Sequence, residues 1–393
     1  MKKVELYIHI PFCEKKCNYC DFVSFHSSYD VIDKYIKKLI TEIEYKKYLL
    51  TNYEVTSIYI GGGTPSFIES KYISYIMESI YNNYNVAKDS EISIEVNPNS
   101  ASMNKLKNYY DLGINRLSIG LQSANDMELK ILGRIHNYND FLVSYNNAIH
   151  IGFKNINIDL INGIPTQTPT SYKKTLKQIL MLNIKHLSIY NLIVENNTPM
   201  KTMLDNNELQ LPLETDLLKI DDITKELTTH YHLMRYEISN YAKTGFECKH
   251  NLGYWSDVPY IGFGLNSSSY FENKRLKNKS ILNNYLNLDY SKYITIDDKS
   301  IYYDEIIVID KIAHINDYII TGFRKTSGIN IHDFYDTFNL DFEKLFGTAL
   351  KIYQGMSLIN KTQDNYYFTY DGLNVSNKIL SDLLLKENEP NIL

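Results

Sequence analysis

The sequence predicts an α/β fold, with parallel strands joined by helices in a full or partial (β/α) barrel and a smaller helical domain with a wing at the C-terminus. Three observations predict it. Short β-branched runs recur at intervals of roughly 30–40 residues, amphipathic stretches with helical spacing lie between them, and beyond about residue 200 that rhythm stops. The strands are expected at residues 5–10, 57–62, 91–96, 116–121, 155–160 and 186–191. The intervening helices are expected at 33–50, 70–84, 101–112, 140–151 and 171–182, where apolar residues repeat at helical spacing. Polar or glycine residues stand just past the strand ends: His9, Gly61-Gly62-Gly63-Thr64, Asn97-Pro98, Gln122-Ser123 and Asn162-Gly163-Ile164-Pro165. In a (β/α) barrel that end is the active face, where side chains from different strands converge.

In the C-terminal half, 235–241 and 260–264 bracket a loop with the only Trp, and a Lys/Asn/Asp/Tyr-rich stretch at about 271–299 reads as a linker. From residue 301 helical segments follow, then a hairpin-like pair at 356–362 and 366–370, Gly372-Leu373 and a final helix. The expected division is a core at 1–235, a barrel-closing segment with linker at 236–299, and a helical, winged domain at 300–393.

At 393 residues the chain can bury an ample core. A net charge of -5 gives no electrostatic footprint for nucleic acid and no polybasic patch for anionic lipid. The N-terminus is too short and polar for a signal peptide, and no apolar window reaches the ~18 residues of a membrane span. The expected location is the reducing cytoplasm, where exposed thiolates survive as ligands. The 35 tyrosines read as compositional drift, with core packing as their default role.

Cys13, Cys17 and Cys20 stand in a Cys-x3-Cys-x2-Cys run within one short loop. Three thiolates turned toward one centre suit an iron–sulfur cluster, and a cubane held by three cysteines keeps one iron open for a small molecule. A structural zinc site of three Cys with His9 or His26 is the alternative, although zinc modules generally present two separated ligand pairs. Disulfides are disfavoured in a large chain with four cysteines and no secretory signature. The glycine run can equally be a plain strand-to-helix turn, and no Gly-Lys-Ser/Thr follows it as a nucleotide loop requires. Glu95 inside an apolar strand is costly without a partner, and Arg134 with Asp159 can be read as a structural ion pair.

Taken together, His9-Ile-Pro-Phe-Cys13-x3-Cys17-x-Tyr19-Cys20, Gly61-Gly-Gly-Thr-Pro65, Ile94-Glu-Val-Asn-Pro98 and Arg116-Leu-Ser-Ile-Gly-Leu-Gln-Ser123 resemble the radical S-adenosylmethionine (SAM) enzymes. The nearest branch contains oxygen-independent coproporphyrinogen III oxidase, and the resemblance runs on through 157–165, 250–255 and 319–328. It implies a partial (β/α)6 barrel of the radical SAM type. It also implies a [4Fe–4S] cluster on Cys13, Cys17 and Cys20, whose open iron is chelated by S-adenosylmethionine, and one-electron cleavage of that sulfonium to a 5′-deoxyadenosyl radical. Tyr7, Gly62 and Glu95 match positions that hold the cofactor, Gly62 because a bare backbone can approach the methionine amino group. Gly63, Thr64, Gln122, Arg134 and Asp159 match positions that contact a second S-adenosylmethionine in the oxidase.

Two departures shift the functional expectation. The oxidases carry a fourth cysteine two positions after the third ligand, where this chain has Phe22, and the chain begins almost at its first strand, without room for the oxidase's N-terminal extension. Both features resemble the HemW-like heme chaperones, which are associated with binding heme and delivering it to respiratory enzymes. That branch carries His-Asn-x-x-Tyr-Trp, here His250 to Trp255. Imidazole is a good axial ligand for heme iron, and Tyr254 and Trp255 offer flat apolar surface. Cys248 is the second candidate ligand, and a purely structural loop with His250 at a helix cap and Trp255 at the barrel base is the alternative. A third departure is 264–270, where Asn266 and Ser268 replace the Gly and His common in relatives. The implied partners are heme, a heme-accepting protein that can be membrane-associated, and an electron donor such as a flavodoxin or ferredoxin; a homodimer is compatible with the chain. The rival expectation is oxidative decarboxylation of coproporphyrinogen III, with a zinc-stabilised interaction protein as a third class.

Overall fold

The computed structural model describes residues 1–293 and 299–386. The linker and C-terminal-domain expectations therefore lie partly outside the described residues, at 294–298 and 387–393. Six parallel strands run side by side in chain order: β1 (Lys2–Ile10), β2 (Tyr53–Gly62), β3 (Val86–Val96), β4 (Arg116–Gln122), β5 (Asn155–Asn162) and β6 (His186–Asn191). The helices that return the chain between them include α1 (Tyr29–Lys46), α2 (Ser70–Asn83), α3 (Met103–Asp111), α4 (Asp126–Ile131), α5 (Tyr138–Ile151) and α6 (Pro169–Leu180). Strand centres fall where β-branched runs predict them. The ends extend further because backbone pairing continues past the apolar residues.

The strands alternate strictly, which buried parallel strands seldom do. Leu6, Ile8, Ile58, Ile60, Ile94, Leu117, Ile119, Ile158 and Leu187 point outward and are fully buried against the helices. The opposite face is polar on every strand, and the register places like with like: Glu5 beside Ser57, Ser57 beside Glu91, Glu95 beside Ser118, Ser118 beside Asn157, and Asp159 beside Ser188. A two-residue period thus gives each strand one face for the helices and one for an interior lined with hydrogen-bonding groups.

The sheet continues beyond the six strands. Short β7 (Met234–Arg235) and β8 (Asn240–Ala242) pair antiparallel after β6, while β9 (Tyr260–Phe263) pairs parallel to β1. α7 (Pro199–Asp205), α8 (Glu214–His230) and α9 (Lys249–Tyr254) lie in between.

The linker expected at 271–299 is corrected. Residues 268–278 form a hairpin of β10 (Ser268–Phe271) and β11 (Lys274–Asn278), and a helix at Leu282–Leu286 buries Tyr285 completely. Glu272 and Asn273 both have positive φ, 49° and 55°, as a tight two-residue hairpin turn needs. The polar composition reflects that exposed turn and the strand Lys274-Arg275-Leu276-Lys277-Asn278, whose single apolar residue conceals the strand period. β12 (Tyr303–Val308) then pairs with β11, so the large sheet reaches past residue 300, where a separate domain was expected to begin.

The C-terminal unit has its own core of Ile315, Ile319, Phe323, Phe334, Phe338, Phe342 and Phe346, with a three-stranded wing of β13 (Ile329–Asn330), β14 (Ile359–Lys361) and β15 (Asn365–Phe368). This is the helical, winged arrangement the sequence predicts. The unit is fastened beneath the barrel by the Thr326 N–H on the Tyr236 carbonyl (3.0 Å), His314 on Asp257 (2.7 Å) and Arg324 over the Trp255 ring (4.9 Å).

Candidate functional site

The three cysteines sit in the loop leaving β1, at the strand ends where residues from different strands converge. All are free thiols; Cys13 is buried and the other two are half-buried. The loop is locked to its surroundings by the backbone: Cys13 N–H donates to Phe25 O (3.1 Å), Thr64 N–H to Phe12 O (2.9 Å) and Gly63 N–H to Ile10 O (2.8 Å). A Cβ on Gly63 would stand 2.9 Å from Phe12 O and 3.0 Å from Cys13 Sγ, so the glycine run is what lets β2 press against the cysteine loop. Gly62, at φ 114°, would drive a Cβ into the His9 ring at 2.6 Å.

Each sulfur has a polar neighbour. The Thr64 hydroxyl donates to Cys13 Sγ (3.4 Å), Arg134 Nη1 donates to Cys17 Sγ (3.4 Å), and the Ser24 hydroxyl lies 4.0 Å from Cys20 Sγ. Burial pushes the Cys13 thiol up, while Thr64, Ser24 and the Arg134 charge pull it back. Among the described residues no group of three His, Cys, Asp or Glu side chains is placed to hold a single metal ion. A cubane takes one cysteine on each of three irons, a demand that three free thiols carried by one short loop suit.

Behind the loop, Glu95 faces the barrel interior. Its carboxylate accepts from the Gly62 N–H (3.1 Å) and the Tyr59 hydroxyl (3.0 Å). Burial, reinforced by the nearby Asp159 charge, raises its pKa to about 7. Asp159 accepts from Ser118 (3.0 Å) and Asn157 (2.8 Å), and burial raises it too. Arg134 and Asp159 are not paired; Arg134 turns instead to Cys17 and, through Nη2, to the Gly120 carbonyl (2.8 Å). Tyr7 donates toward, or accepts from, His9 Nδ1 (3.0 Å), and Gln122 ends β4 at φ 74°. Tyr7, Gly62, Gly63, Thr64, Glu95, Gln122, Arg134 and Asp159 are thus gathered at the cysteine end or on the interior wall leading from it.

His250 lies elsewhere. It sits in the barrel floor, 1% exposed, against the N-terminal halves of β1 and β2. Its Nδ1 is hydrogen-bonded to Ser57 Oγ (2.7 Å), its Nε2 to the Tyr254 hydroxyl (2.9 Å), and its ring stacks on Tyr59 at 5.2 Å. Glu5 Oε2 lies 3.7 Å from Nδ1, yet burial lifts Glu5 to about 9 and drops His250 to about 3, so both are neutral and the contact is not an ion pair. No ring nitrogen is free for iron in this arrangement, because His250 is spent holding the floor together. Cys248 is equally buried, bonded to Glu91 Oε1 (3.3 Å) and pushed up to about 12 by burial. Trp255 donates to Glu237 Oε2 (3.1 Å) and, with Tyr254, Tyr260, Tyr270 and Arg275, lines a crevice of about 210 Å³ between floor and C-terminal unit. A larger cavity of about 430 Å³ lies on the outer face of α6, away from all of these groups.

Sequence reasoning passed over Asn18, Ser24 and Ser57. Asn18 clamps the cysteine loop to residues 131–132 through its N–H and side chain (3.0 and 2.9 Å). Ser24, four residues after Cys20, and Ser57, on the polar face of β2, become legible once the strand alternation is followed.

The Radical SAM superfamily profile matches residues 7–179, and the HemN C-terminal domain profile matches 309–373. The heme chaperone HemW of Bacillus subtilis strain 168 is 32% identical over 379 residues, covering 96% of this chain and 98% of that protein. The chain belongs to the HemW family of radical SAM proteins. Heme chaperone HemW of Lactococcus lactis is 30% identical over 97% of both chains, and that of Escherichia coli K12 is 36% identical over 66% of this chain and 68% of that one. The structure of coproporphyrinogen III oxidase (HemN) from Escherichia coli, a radical SAM enzyme, superposes with a TM-score of 0.82 at 24% identity, covering 98% of this chain and 90% of that chain. This chain and that oxidase therefore share a fold over nearly the whole of this chain, and a shared fold does not by itself choose an activity.

Proposed function

We propose that this chain is a heme chaperone that binds a [4Fe–4S] cluster and S-adenosylmethionine and passes heme to an acceptor protein. The observation that carries the reading is the end-to-end likeness to HemW proteins, 32% identical over 96% of the chain. Phe22 adds to it: where the oxidases place a further cysteine, this chain has an aromatic side chain 69% exposed to solvent.

Cys13, Cys17 and Cys20 would hold the cluster, which when bound supplies single electrons to S-adenosylmethionine. Thr64 and Arg134 donate hydrogen bonds toward the sulfurs, the Ser24 hydroxyl lies beside Cys20, and Gly63 keeps the loop close enough to β2 for this. Glu95 presents a carboxylate to the interior as an acceptor for an ammonium or ribose hydroxyl, and with a pKa near 7 it takes a proton readily when unoccupied. Tyr7, Gly62, Gln122 and Asp159 complete the wall that the cofactor would meet. No helix among the described residues is long and apolar enough to cross a membrane. A cytoplasmic protein that meets membrane-bound acceptors from the outside, and takes electrons from a flavodoxin- or ferredoxin-like donor, accords with this.

Heme is cargo in this reading. Tyr254 and Trp255 offer it an aromatic crevice, whereas His250 becomes available as a ligand only if the floor opens. Anaerobically reconstituted protein should contain about four irons and four sulfides, develop a Soret band with added heme, and surrender that heme to an excess of apo-hemoprotein. Absence of a Soret band, or conversion of coproporphyrinogen III to protoporphyrinogen with reductant and S-adenosylmethionine, overturns the chaperone reading in favour of the oxidase.

A further inference from the structure

We propose that Arg134 sets the reduction potential of the cluster by donating a charged hydrogen bond to the Cys17 sulfur; this rests on the cluster reading above. The guanidinium is aimed by two anchors. Nη2 donates to the Gly120 carbonyl of β4 (2.8 Å) while Nη1 donates to Cys17 Sγ (3.4 Å), so the fork spans strand and cysteine loop. The backbone behind it is bolted to the same loop: the Asn18 N–H reaches Leu132 O (3.0 Å), Asn18 Nδ2 reaches Ile131 O (2.9 Å), and Arg134 N–H reaches Leu129 O (2.9 Å). Gly133 makes this approach feasible, since a Cβ there would fall 2.7 Å from the Asn18 side chain and its φ of 73° suits glycine.

The groups that act on the Arg134 charge are the Tyr19 hydroxyl and Cys17, with no carboxylate among them, and its Nε is buried without a hydrogen-bond partner. Its charge is therefore not neutralised by an acidic neighbour, and the nearest group that gains negative character on cluster reduction is the sulfur it touches. The side-chain hydrogen-bonding neighbours of Cys13 and Cys20 are the neutral hydroxyls of Thr64 and Ser24, so Cys17 is the sulfur that a charged side chain touches directly. One-electron reduction adds a negative charge to the cluster. A cation and a hydrogen bond at a ligand sulfur both favour the reduced form, so each raises the potential.

The test is a potentiometric titration of full-length protein, reconstituted anaerobically and reduced with dithionite through low-potential mediators, followed by the spin signal of the reduced cluster. It is run first without S-adenosylmethionine. With iron and sulfide content matched to wild type, Arg134→Met should lower the midpoint potential clearly, Arg134→Lys should fall between the two, and Thr64→Val should lower it less. If Arg134→Met does not keep its cluster, Arg134→Gln carries the comparison, retaining a donor without the charge. An unchanged midpoint in a fully loaded variant overturns the proposal. So does a shift that appears only with S-adenosylmethionine, which would place Arg134 on that cofactor. Failure of wild type to assemble a cluster counts against the proposed function itself.

Discussion

Replacing His250 with Ala removes a side chain that ties the closing segment to β2 at the barrel floor. The imidazole satisfies two buried hydroxyls, Ser57 Oγ at 2.7 Å and Tyr254 Oη at 2.9 Å, and stacks on Tyr59. Its backbone N–H to Glu91 Oε1 (3.3 Å) survives the change. Stranding two buried hydroxyls costs about 1–3 kcal/mol each, so a loss of about 3–5 kcal/mol is expected once partial relaxation is allowed. That is a large share of the roughly 5–15 kcal/mol that holds a typical domain. Denaturant unfolding of the cluster-free, reduced chain at pH 7.5, followed by circular dichroism, measures it before any heme is added. The titration supplies a second signature. His250 is held neutral to about pH 3 in the folded state while the unfolded chain protonates near 6.5, so its contribution declines as pH falls through that window, by at most about 1.4 kcal/mol per pH unit, and His250→Ala should flatten this slope. A variant within about 0.5 kcal/mol of wild type refutes the reasoning. It would free His250 for the role of an exposed heme ligand.

Gly63→Ala should cost about 1–3 kcal/mol and depress cluster loading, because two of the three atoms its Cβ meets, Phe12 O and Ile10 O, are backbone; full iron content at wild-type stability contradicts this. Glu95→Gln should be pH-dependent in its effect. The folded-state pKa of Glu95 is raised to about 7, so its contribution is complete below 4.5 and is lost as pH rises through 7; the variant should gain on wild type by up to about 3 kcal/mol between those limits, read from unfolding midpoints at both. Phe22→Ala should leave cluster content unchanged and stability within about 0.5 kcal/mol, since the side chain is 69% exposed; loss of iron would make Phe22 part of the cluster pocket.

The barrel was legible because its helices need an apolar wall: isoleucine and leucine at every second position of six runs mark the outward face, and the glycines at β2's end mark the approach of the cysteine loop. The same alternation held more than was read from it. Glu5, Ser57, Glu91, Arg116, Asn157 and His186 occupy the complementary positions of those strands, and following the two-residue period would have exposed a polar interior in which Glu95 is one member of a lining, not an isolated charge in an apolar strand. The hairpin at 268–278 stayed hidden for a different reason. Its turn is made by Glu272-Asn273 without glycine, and its second strand carries Lys274, Arg275, Lys277 and Asn278 around a single apolar residue, Leu276, so composition imitates a linker.

His250 marks where sequence pattern stops informing. A motif of imidazole and two aromatics describes equally well a ligand site open to a flat macrocycle and a plug of hydrogen-bonded rings, because both need the same side chains close together. What separates them is the end of the barrel at which the segment lands and whether the ring nitrogens are already taken. Both depend on the long-range pairing of β9 with β1, which carries α9 beneath Glu5 and Ser57, at the opposite end of the strands from the cysteines. Gly253 shows how tight that landing is: a Cβ there would overlap the Glu5 carboxyl at 1.9 Å, so only glycine lets the helix seat. The floor is sealed by this landing, and the Tyr254, His250 and Tyr59 rings, each in contact with the next, run from it to the Glu95 carboxylate in the interior.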